Sequence, residues 1–145
     1  MNIKIYNPFS KPTAQTKKRI ASFLFEHLGR SRDPLCQIED ALDYALGAED
    51  SPGGLVVLME DESGVQAAAV VNKTGMKAYL TDHILMYVAT HELSRGKGLG
   101  KQLLRETLQR IRGSVSLHVL PDNPAVNLYR QMGFQNPYVE MRLNG

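Results

Sequence analysis

Apolar and polar residues in the first part of the chain follow two different periods. Ile3 and Ile5 alternate with a lysine, which predicts a short β-strand that ends at Pro8. From about Thr13 the apolar side chains recur at helical spacing, and Gly29 closes the segment. The buried face of this first helix is predicted to comprise Ile20, Phe23, Leu24, His27 and Leu28.

A second helical pattern follows directly. Asp33 is predicted as its N-cap, Pro34 as its first helical residue, and Gly47 as the residue that ends it. Its buried face is predicted to comprise Leu35, Ile38, Leu42, Ala45 and Leu46.

The middle of the chain has the pattern of β-strands. Gly54–Met59 and Val65–Val71 are predicted to pair as a hairpin across an acidic turn at 60–64. Leu80–Thr90 contains six consecutive apolar residues, 84–89, which are typical of a central strand buried on both faces.

The last third of the chain again contains both helical and strand-like patterns. A helix is predicted over Leu99–Ile111, a strand over Val115–Val119, and a short helix over Asn123–Met132. Val139, Met141 and Leu143 alternate with polar residues and predict a last strand. The order of elements indicates a single domain, residues 1–145, of the α/β (α+β) class, with helices packed on a central sheet.

The composition excludes some classes of protein but does not identify the function. The chain has 145 residues and a net charge of +2, which gives no argument for a nucleic-acid partner. A single cysteine excludes an internal disulfide and a cysteine-rich zinc site, and no metal site is expected. The beginning of the chain lacks the pattern of a signal peptide, and no run has the length of a membrane span. We therefore expect a cytoplasmic protein.

A glycine-rich loop lies between the apolar strand and the amphipathic helix, at Ser94–Lys101. Its glycines leave the backbone accessible, and the free N–H groups of the following helix attract anions. Three cationic side chains add positive charge around these groups, so the loop predicts a pyrophosphate site. The glycines are Gly96, Gly98 and Gly100, and the cations are Arg95, Lys97 and Lys101.

Spacing separates this loop from two other phosphate-binding loops. A nucleoside-triphosphate P-loop needs four residues between its first glycine and its Gly-Lys pair, whereas three lie between Gly96 and Gly100. A dinucleotide loop needs a third glycine where this chain has Lys101.

The pattern Arg95-x-x-Gly98-x-Gly100 resembles the coenzyme A pyrophosphate motif of the GNAT superfamily of N-acetyltransferases. The preceding Tyr87–His91 is similar to the family's fourth strand. A second block, Leu117–Phe134, resembles the strand, loop and helix that end in Leu-Tyr-x-x-x-Gly-Phe. Together the blocks cover about residues 80–134.

The resemblance implies a fold and a way of binding acetyl-CoA. The fold would have a mixed central sheet of six or seven strands, about four flanking helices, and fourth and fifth strands that splay apart. The backbone of Val88, Ala89 and Thr90 would hold the pantetheine arm, and one amide there would polarise the thioester carbonyl. The pyrophosphate would be held by the loop residues Arg95, Gly96, Lys97, Gly98, Leu99, Gly100 and Lys101.

Tyr129 matches the family's tyrosine near the thioester sulfur, and the resemblance implies that it protonates the leaving thiolate. The alternative is an aromatic ring that packs helix against sheet. The base is not identified. His118 is a candidate because a histidine accepts protons near pH 7, and Asp82, His83 and His91 are its rivals.

Asn123 and Asn127 lie where the family often contacts pantetheine. The sequence departs from the pattern here, because Asp122 holds the place of the usual asparagine. An N-cap role for Asp122 or Asn123 is at least an equal alternative.

The resemblance predicts transfer of an acetyl group to a primary amine by direct attack on the thioester. The alternatives are a non-catalytic acyl-CoA sensor or adaptor with the same fold, and a nucleotide-binding regulator. The sequence does not decide whether the acceptor is a small molecule, an amino acid or a protein N-terminus. Exposed edge strands predict a homodimer. The acceptor walls would come from residues 23–46 and from the loop after the fifth strand. The charged or polar members of 23–46 include Glu26, His27, Arg30, Arg32, Asp33, Glu39 and Asp43.

Overall fold

Five strands and four α-helices are present in the computed structural model, which describes residues 1–29 and 32–145. The strands are β1 (Asn2–Tyr6), β2 (Gly54–Asp61), β3 (Gly64–Lys73), β4 (His83–Thr90) and β5 (Val115–Leu117). The helices are α1 (Ala14–His27), α2 (Leu35–Ala45), α3 (Leu99–Leu108) and α4 (Ala125–Gln131). Arg30, which the sequence places in the acceptor wall, lies outside the described residues.

The strands form one mixed sheet in the order β1-β2-β3-β4-β5. Neighbouring strands are antiparallel except for β4 and β5, which are parallel. The parallel pair follows from the crossover through α3, because a helix returns the chain to the same end of the sheet. The α+β class and the mixed central sheet are as predicted.

Helices cover both faces of the sheet and divide the core in two. One face packs against α1 and α2, with Ile20, Leu42 and Val70 completely buried. The other face packs against α3, with Val57, Leu103 and Leu104 completely buried. The β3 side chains alternate between the two cores, as the period of a strand buried on both faces requires.

The number of strands differs from the prediction of six or seven. The alternating residues at 139, 141 and 143 form no strand, and the side chains of Val139, Met141 and Leu143 are exposed to solvent. Alternation indicates a strand only where a neighbouring strand and a core receive it, and neither contacts this segment.

The start of α1 is as predicted, since the Thr13 side chain accepts a hydrogen bond from the Thr16 amide at 3.1 Å. The start of α2 differs. Pro34 occupies the N-cap position, and no side chain caps this helix. The predicted cap, Asp33, accepts a hydrogen bond from Tyr87 in β4 instead, so a tertiary contact replaces a local one.

Within the described ranges, none of the helices combines the length and apolar character that crossing a bilayer requires.

Candidate active site

The fourth and fifth strands separate after three paired positions. His83, Ile84 and Leu85 pair with Val115, Ser116 and Leu117, and β5 then ends while β4 continues to Thr90. Residues 87–90 therefore pair with a strand on one side only, which is β3. Alternate backbone N–H and C=O groups of this open edge are available to an extended ligand, which would bind there as an added strand does.

A β-bulge lies where the separation begins. Val70 pairs with Tyr87 and Val71 with Leu85, so Met86 is an extra residue that has no partner in β3. A bulge bends its strand and increases the local twist, which turns the end of β4 relative to β5. No sequence signal predicts this bulge, because Met86 is an ordinary apolar residue in an apolar run.

The glycine loop begins one short turn after β4. Glu92–Ser94 form a 3-10 turn, and Gly96 and Gly98 adopt left-handed conformations with φ of 82° and 77°. A Cβ atom at either glycine would meet nothing within 4 Å. Left-handed φ explains why glycine stands there, and the open space leaves the backbone accessible to a ligand.

The N-terminus of α3 directs free donors toward this space. Gly98 is its N-cap without a side-chain cap, and Gln102 makes the first helical bond, to the Gly98 carbonyl. The N–H groups of Leu99, Gly100 and Lys101 precede that bond and have no intrahelical acceptor. Together with the helix dipole they provide a site for an anion such as a pyrophosphate.

The loop is anchored to the rest of the molecule through polar contacts. The Arg95 guanidinium donates to the His27 carbonyl at 2.8 Å, and His27 Nδ1 accepts from the Glu92 amide at 3.2 Å. The Ser94 hydroxyl donates to Gln66 Oε1 at 2.8 Å. One of the three predicted cations thus has a structural partner, while Lys97 and Lys101 are exposed to solvent.

Tyr129 lies on α4 and packs against the α3 side of the sheet. Its ring meets Phe134 edge-on, with the ring centroids 5.8 Å apart. Burial raises the pKa of the Tyr129 phenol, so the hydroxyl keeps its proton at neutral pH. The packing role and the proton-donor role are therefore compatible in one side chain.

The candidate bases lie at three levels along β4: its beginning, its middle and its end. His118 is exposed and directly follows β5, where the two strands separate. His91 directly follows β4 and stacks on His27, with the ring centroids 4.2 Å apart. Asp82 and His83 lie at the start of β4, about 23 Å along the strand from Thr90 at 3.3 Å per residue. Their position separates them from the glycine loop.

Asp82 has a structural role at that far end. Its carboxylate accepts from the Ser114 backbone amide at 2.9 Å and from the Ser114 hydroxyl at 3.1 Å. These hydrogen bonds lower the pKa of Asp82 below its usual value. The carboxylate joins the beginnings of β4 and β5.

The two asparagines differ in their surroundings. The Asn123 side chain accepts from the Ala125 amide at 2.9 Å, in the turn that leads into α4, whereas Pro124 is the N-cap of that helix. Asn127 is exposed on the same helix, and Asp122 is exposed before it. Asn127 is thus the asparagine with a side chain that is open to a ligand.

One polar pair near the open edge was not anticipated from the sequence. The Tyr87 hydroxyl donates to Asp33 Oδ2 at 2.5 Å. Burial, and then the hydrogen bond and charge of Asp33, raise the pKa of Tyr87 far above its usual value. The residues are 54 positions apart, so no local sequence signal could have joined them.

The glycine loop lies at the surface of the protein, with residues 95–98 exposed to solvent. Two surface depressions lie elsewhere, one beside the β2–β3 turn at residues 60–63 and one between the start of α1 and the end of α2. Neither includes a residue of β4 or of the loop. A ligand at the candidate site would therefore bind along a surface edge.

Comparison with known proteins agrees with this geometry. Residues 52–136, more than half of the chain, match the family described as acetyltransferase (GNAT) domain. The chain belongs to the GNAT acetyltransferase family, and membership implies an acetyltransferase. Among curated proteins, none matches the sequence.

Several solved structures share the fold. A transcriptional regulator from Bacillus halodurans C-125 superposes with a TM-score of 0.70 at 18% identity, over 99% of this chain and 100% of its own. A GNAT-family acetyltransferase from Streptococcus pneumoniae TIGR4 gives 0.69 at 17% identity, over 99% and 97%. A structure described as a histone acetyltransferase and related acetyltransferase, from Corynebacterium glutamicum ATCC 13032, gives 0.65 at 17% identity, over 100% and 92%. At these identities the likeness establishes the fold.

Proposed function

We propose that this protein transfers the acetyl group of acetyl-CoA to a primary amine, by direct attack of the amine nitrogen on the thioester carbonyl. The observation that carries the proposal is the continuity of three features along one edge. The edge of β4 that β5 leaves uncovered after Leu85 leads to the glycine loop, and the loop leads to the free amides of α3. This order suits pantetheine followed by pyrophosphate.

Different residues bind the pantetheine arm and the pyrophosphate of acetyl-CoA. The backbone of Val88, Ala89 and Thr90 pairs with the pantetheine arm, since the outer edge of this segment has no strand partner. The amides at the start of α3 receive the pyrophosphate. Lys97 and Lys101 add positive charge from solvent-exposed positions.

The transfer itself needs one proton donor. The amine nitrogen forms a bond to the carbonyl carbon, the carbon–sulfur bond breaks, and the thiolate takes a proton from the Tyr129 hydroxyl. The phenolate is then reprotonated from solvent. An amide at the end of β4 stabilises the charge that develops on the carbonyl oxygen. The amine loses its proton to a base or a water chain, with His118 the candidate nearest to the strand separation.

The first test is a calorimetric titration with acetyl-CoA, with ATP and NAD as controls. Selective binding of acetyl-CoA, followed by thiol release with a panel of amines, is the expected result. Binding without turnover on any amine would support the alternative of a non-catalytic acyl-CoA sensor. No binding would overturn the assignment of the loop.

A pair of glycine variants tests whether acetyl-CoA binds at the glycine loop. Gly98→Glu places a carboxylate against the pyrophosphate site and should lower acetyl-CoA affinity by about 100-fold or more. Gly64→Glu is the matched control, because Gly64 also has a positive φ and open space for a Cβ, but is the first residue of β3, next to the β2–β3 turn. It should bind as the wild type does. Equal affinities of the two variants would refute the loop assignment.

A further inference from the structure

Two histidine rings lie against each other where the glycine loop begins. His27 is the last residue of α1 and His91 directly follows β4, and their ring centroids are 4.2 Å apart. The Phe23 ring lies against His27, with the centroids 4.6 Å apart. We refer to His27 and His91 as the histidine pair. The pair joins the end of α1 to the end of the open edge.

Each ring of the pair accepts a hydrogen bond from the short turn that leads into the loop. His27 Nδ1 accepts from the Glu92 amide at 3.2 Å, and His91 Nδ1 accepts from the Leu93 amide at 3.2 Å. A ring nitrogen that accepts a hydrogen bond carries no proton, so both neutral rings hold their proton on Nε2. A second proton on either ring must therefore go to Nδ1, where it displaces the amide donor.

The backbone of the histidine pair holds the same turn. The turn, Glu92–Ser94, is followed at once by Arg95, whose guanidinium donates to the His27 carbonyl at 2.8 Å. The Ser94 amide donates to the His91 carbonyl at 2.9 Å. The pair thus anchors the start of the glycine loop through two ring nitrogens and two carbonyl oxygens.

The groups that face His27 act on its protonation in both directions. Burial, followed by the neighbouring His91, lowers the pKa of His27, and Arg95 adds to this effect. Glu26 and Glu92 raise it, but both are exposed, and the Glu26 carboxylate lies 3.9 Å from His27 Nε2. The lowering effects are the larger, so the described surroundings of the pair favour neutral rings at pH 7.

We propose that the histidine pair positions the pyrophosphate loop and makes acetyl-CoA binding sensitive to pH. The loop binds acetyl-CoA tightly while both rings are neutral, and less tightly once either ring takes up a second proton. His27 and His91 are then positioning residues, which act through the Glu92 and Leu93 amides. The inference rests on the proposed function and adds a proton-linked control of its acetyl-CoA site.

The direction of the effect follows from which state of the loop accepts the proton. In the anchored loop each Nδ1 is occupied by an amide, whereas in a released loop the histidines titrate near their ordinary pKa of about 6.5. The apparent Kd of acetyl-CoA rises as the anchored fraction falls, so binding is complete above about pH 6.5 and weakens below it. At pH 5.5 one histidine can weaken binding by at most about 10-fold.

A direct contact would have the opposite sign. An imidazolium that touched the phosphates of acetyl-CoA would attract them, and binding would tighten in acid. The sign of the pH dependence therefore separates a positioning role from a phosphate-binding role.

The test measures the Kd of acetyl-CoA by calorimetry at pH 7.5 and pH 5.5, and the acid ratio is the second Kd divided by the first. The phosphate monoester of the ligand also titrates in this range, so every variant is compared with the wild type. In the variant with both His27→Asn and His91→Asn, each asparagine offers an acceptor near the position of Nδ1 and does not titrate. The wild-type acid ratio should exceed that of the double variant by about 3- to 10-fold.

Two further variants serve as controls. His83→Asn should keep the wild-type acid ratio, because His83 lies at the other end of β4. His91→Ala removes the acceptor for the Leu93 amide and should weaken binding at pH 7.5 by about 5-fold. His91→Asn alone should restore it, since asparagine is a good N-cap and His91 is the N-cap of the turn. Circular dichroism at both pH values shows whether each variant is folded.

A measurement on the wild type alone covers the case in which a variant does not fold. Nitrogen NMR of the imidazole rings at pH 7.5 should show the proton on Nε2 in both His27 and His91, and a titration of the rings should shift the Glu92 and Leu93 amide signals. A proton on Nδ1 of either ring at pH 7.5 would overturn the positioning role.

The outcomes distinguish this inference from the proposed function. A wild-type acid ratio equal to that of the double variant, or smaller, overturns the role of the histidine pair while acetyl-CoA binding stands. The absence of acetyl-CoA binding by the wild type at pH 7.5 overturns the proposed function and this inference together.

Discussion

Arg95 and His27 are joined by a hydrogen bond from the guanidinium to the carbonyl oxygen, at 2.8 Å and across 68 residues of sequence. The bond connects the glycine loop to the C-terminal end of α1, which has carbonyl groups without helical partners. A cation at this position also interacts favourably with the helix dipole. Arg95 therefore has a structural role in addition to the pyrophosphate contact that the sequence predicts.

Substituting Arg95 should affect both stability and acetyl-CoA binding. Arg95→Ala removes the hydrogen bond to His27 and should cost about 1 kcal/mol, a fall in melting temperature of about 3 °C. It should also weaken acetyl-CoA binding by about 10-fold. Lys97→Ala is the control, since Lys97 is exposed in the same loop. It should weaken binding with no change in melting temperature, and equal melting effects would argue against the anchoring role.

The stability of the fold should depend on the protonation of His27. This side chain is 5% exposed, and burial, followed by the neighbouring His91, lowers its pKa below the usual value of 6.5. The native state then binds fewer protons than the unfolded chain between the two pKa values. Stability should therefore be complete above about pH 6.5 and fall as the pH decreases from 6.5 through the folded-state pKa. Protonation of Nδ1 would also break the hydrogen bond that His27 accepts from the Glu92 backbone amide.

Thermal denaturation between pH 5 and 8 checks this prediction. His27→Gln removes the titrating group and should lose the part of the acid destabilisation that His27 causes. His118→Gln, at an exposed position after β5, should follow the wild-type curve. A His27 variant with the wild-type pH dependence would contradict the assignment.

Tyr129→Phe should lower the rate of acetyl transfer by roughly 10²- to 10⁴-fold while acetyl-CoA binding survives. The ring packing against Phe134 is kept in the variant, so only the proton donor is lost. Because burial raises the pKa of Tyr129, the wild-type rate should not fall between pH 7 and 9 through loss of this proton. Single-turnover thiol release measures the step.

Tyr44→Phe is the matched control for Tyr129→Phe. The Tyr44 hydroxyl donates to the Lys73 carbonyl at 2.6 Å, at the end of β3, which pairs with the start of β4. Its removal should lower stability by about 1 kcal/mol and leave the rate unchanged. An unimpaired Tyr129→Phe enzyme would leave Tyr129 with a packing role alone.

Removal of residues 138–145 should leave the melting temperature unchanged within about 1 °C. Tyr138, Val139, Met141 and Leu143 are each at least 85% exposed, so their deletion uncovers no core. Surface residues of this kind change stability by less than about 0.5 kcal/mol. Differential scanning fluorimetry of the shortened chain is sufficient. A large fall would mean that the segment packs against another surface in solution, such as the predicted homodimer interface.

Local patterns were sufficient for most of the elements and for the glycine loop. The amphipathic periods predicted α1 to α4 and β1 to β5, because burial of one face depends on spacing within a short segment. The loop was predicted as an anion site because glycines with free helix N–H groups define such a site within eight residues. An N-cap role for Asn123 was one of two interpretations that the sequence allowed, but Pro124 is the N-cap of α4, and Asn123 accepts from the Ala125 amide from the position before it.

The tertiary structure alone decided the features that depend on distant partners. Asp33 has the local pattern of an N-cap. It accepts a hydrogen bond from the Tyr87 hydroxyl instead, because folding brings the α1–α2 connection against β4. The alternating residues at 139–143 remain exposed because no strand lies beside them. The bulge at Met86 arises from the register between β3 and β4. A sequence pattern records which face of an element is apolar, whereas the partner of each polar group is fixed only when the elements pack.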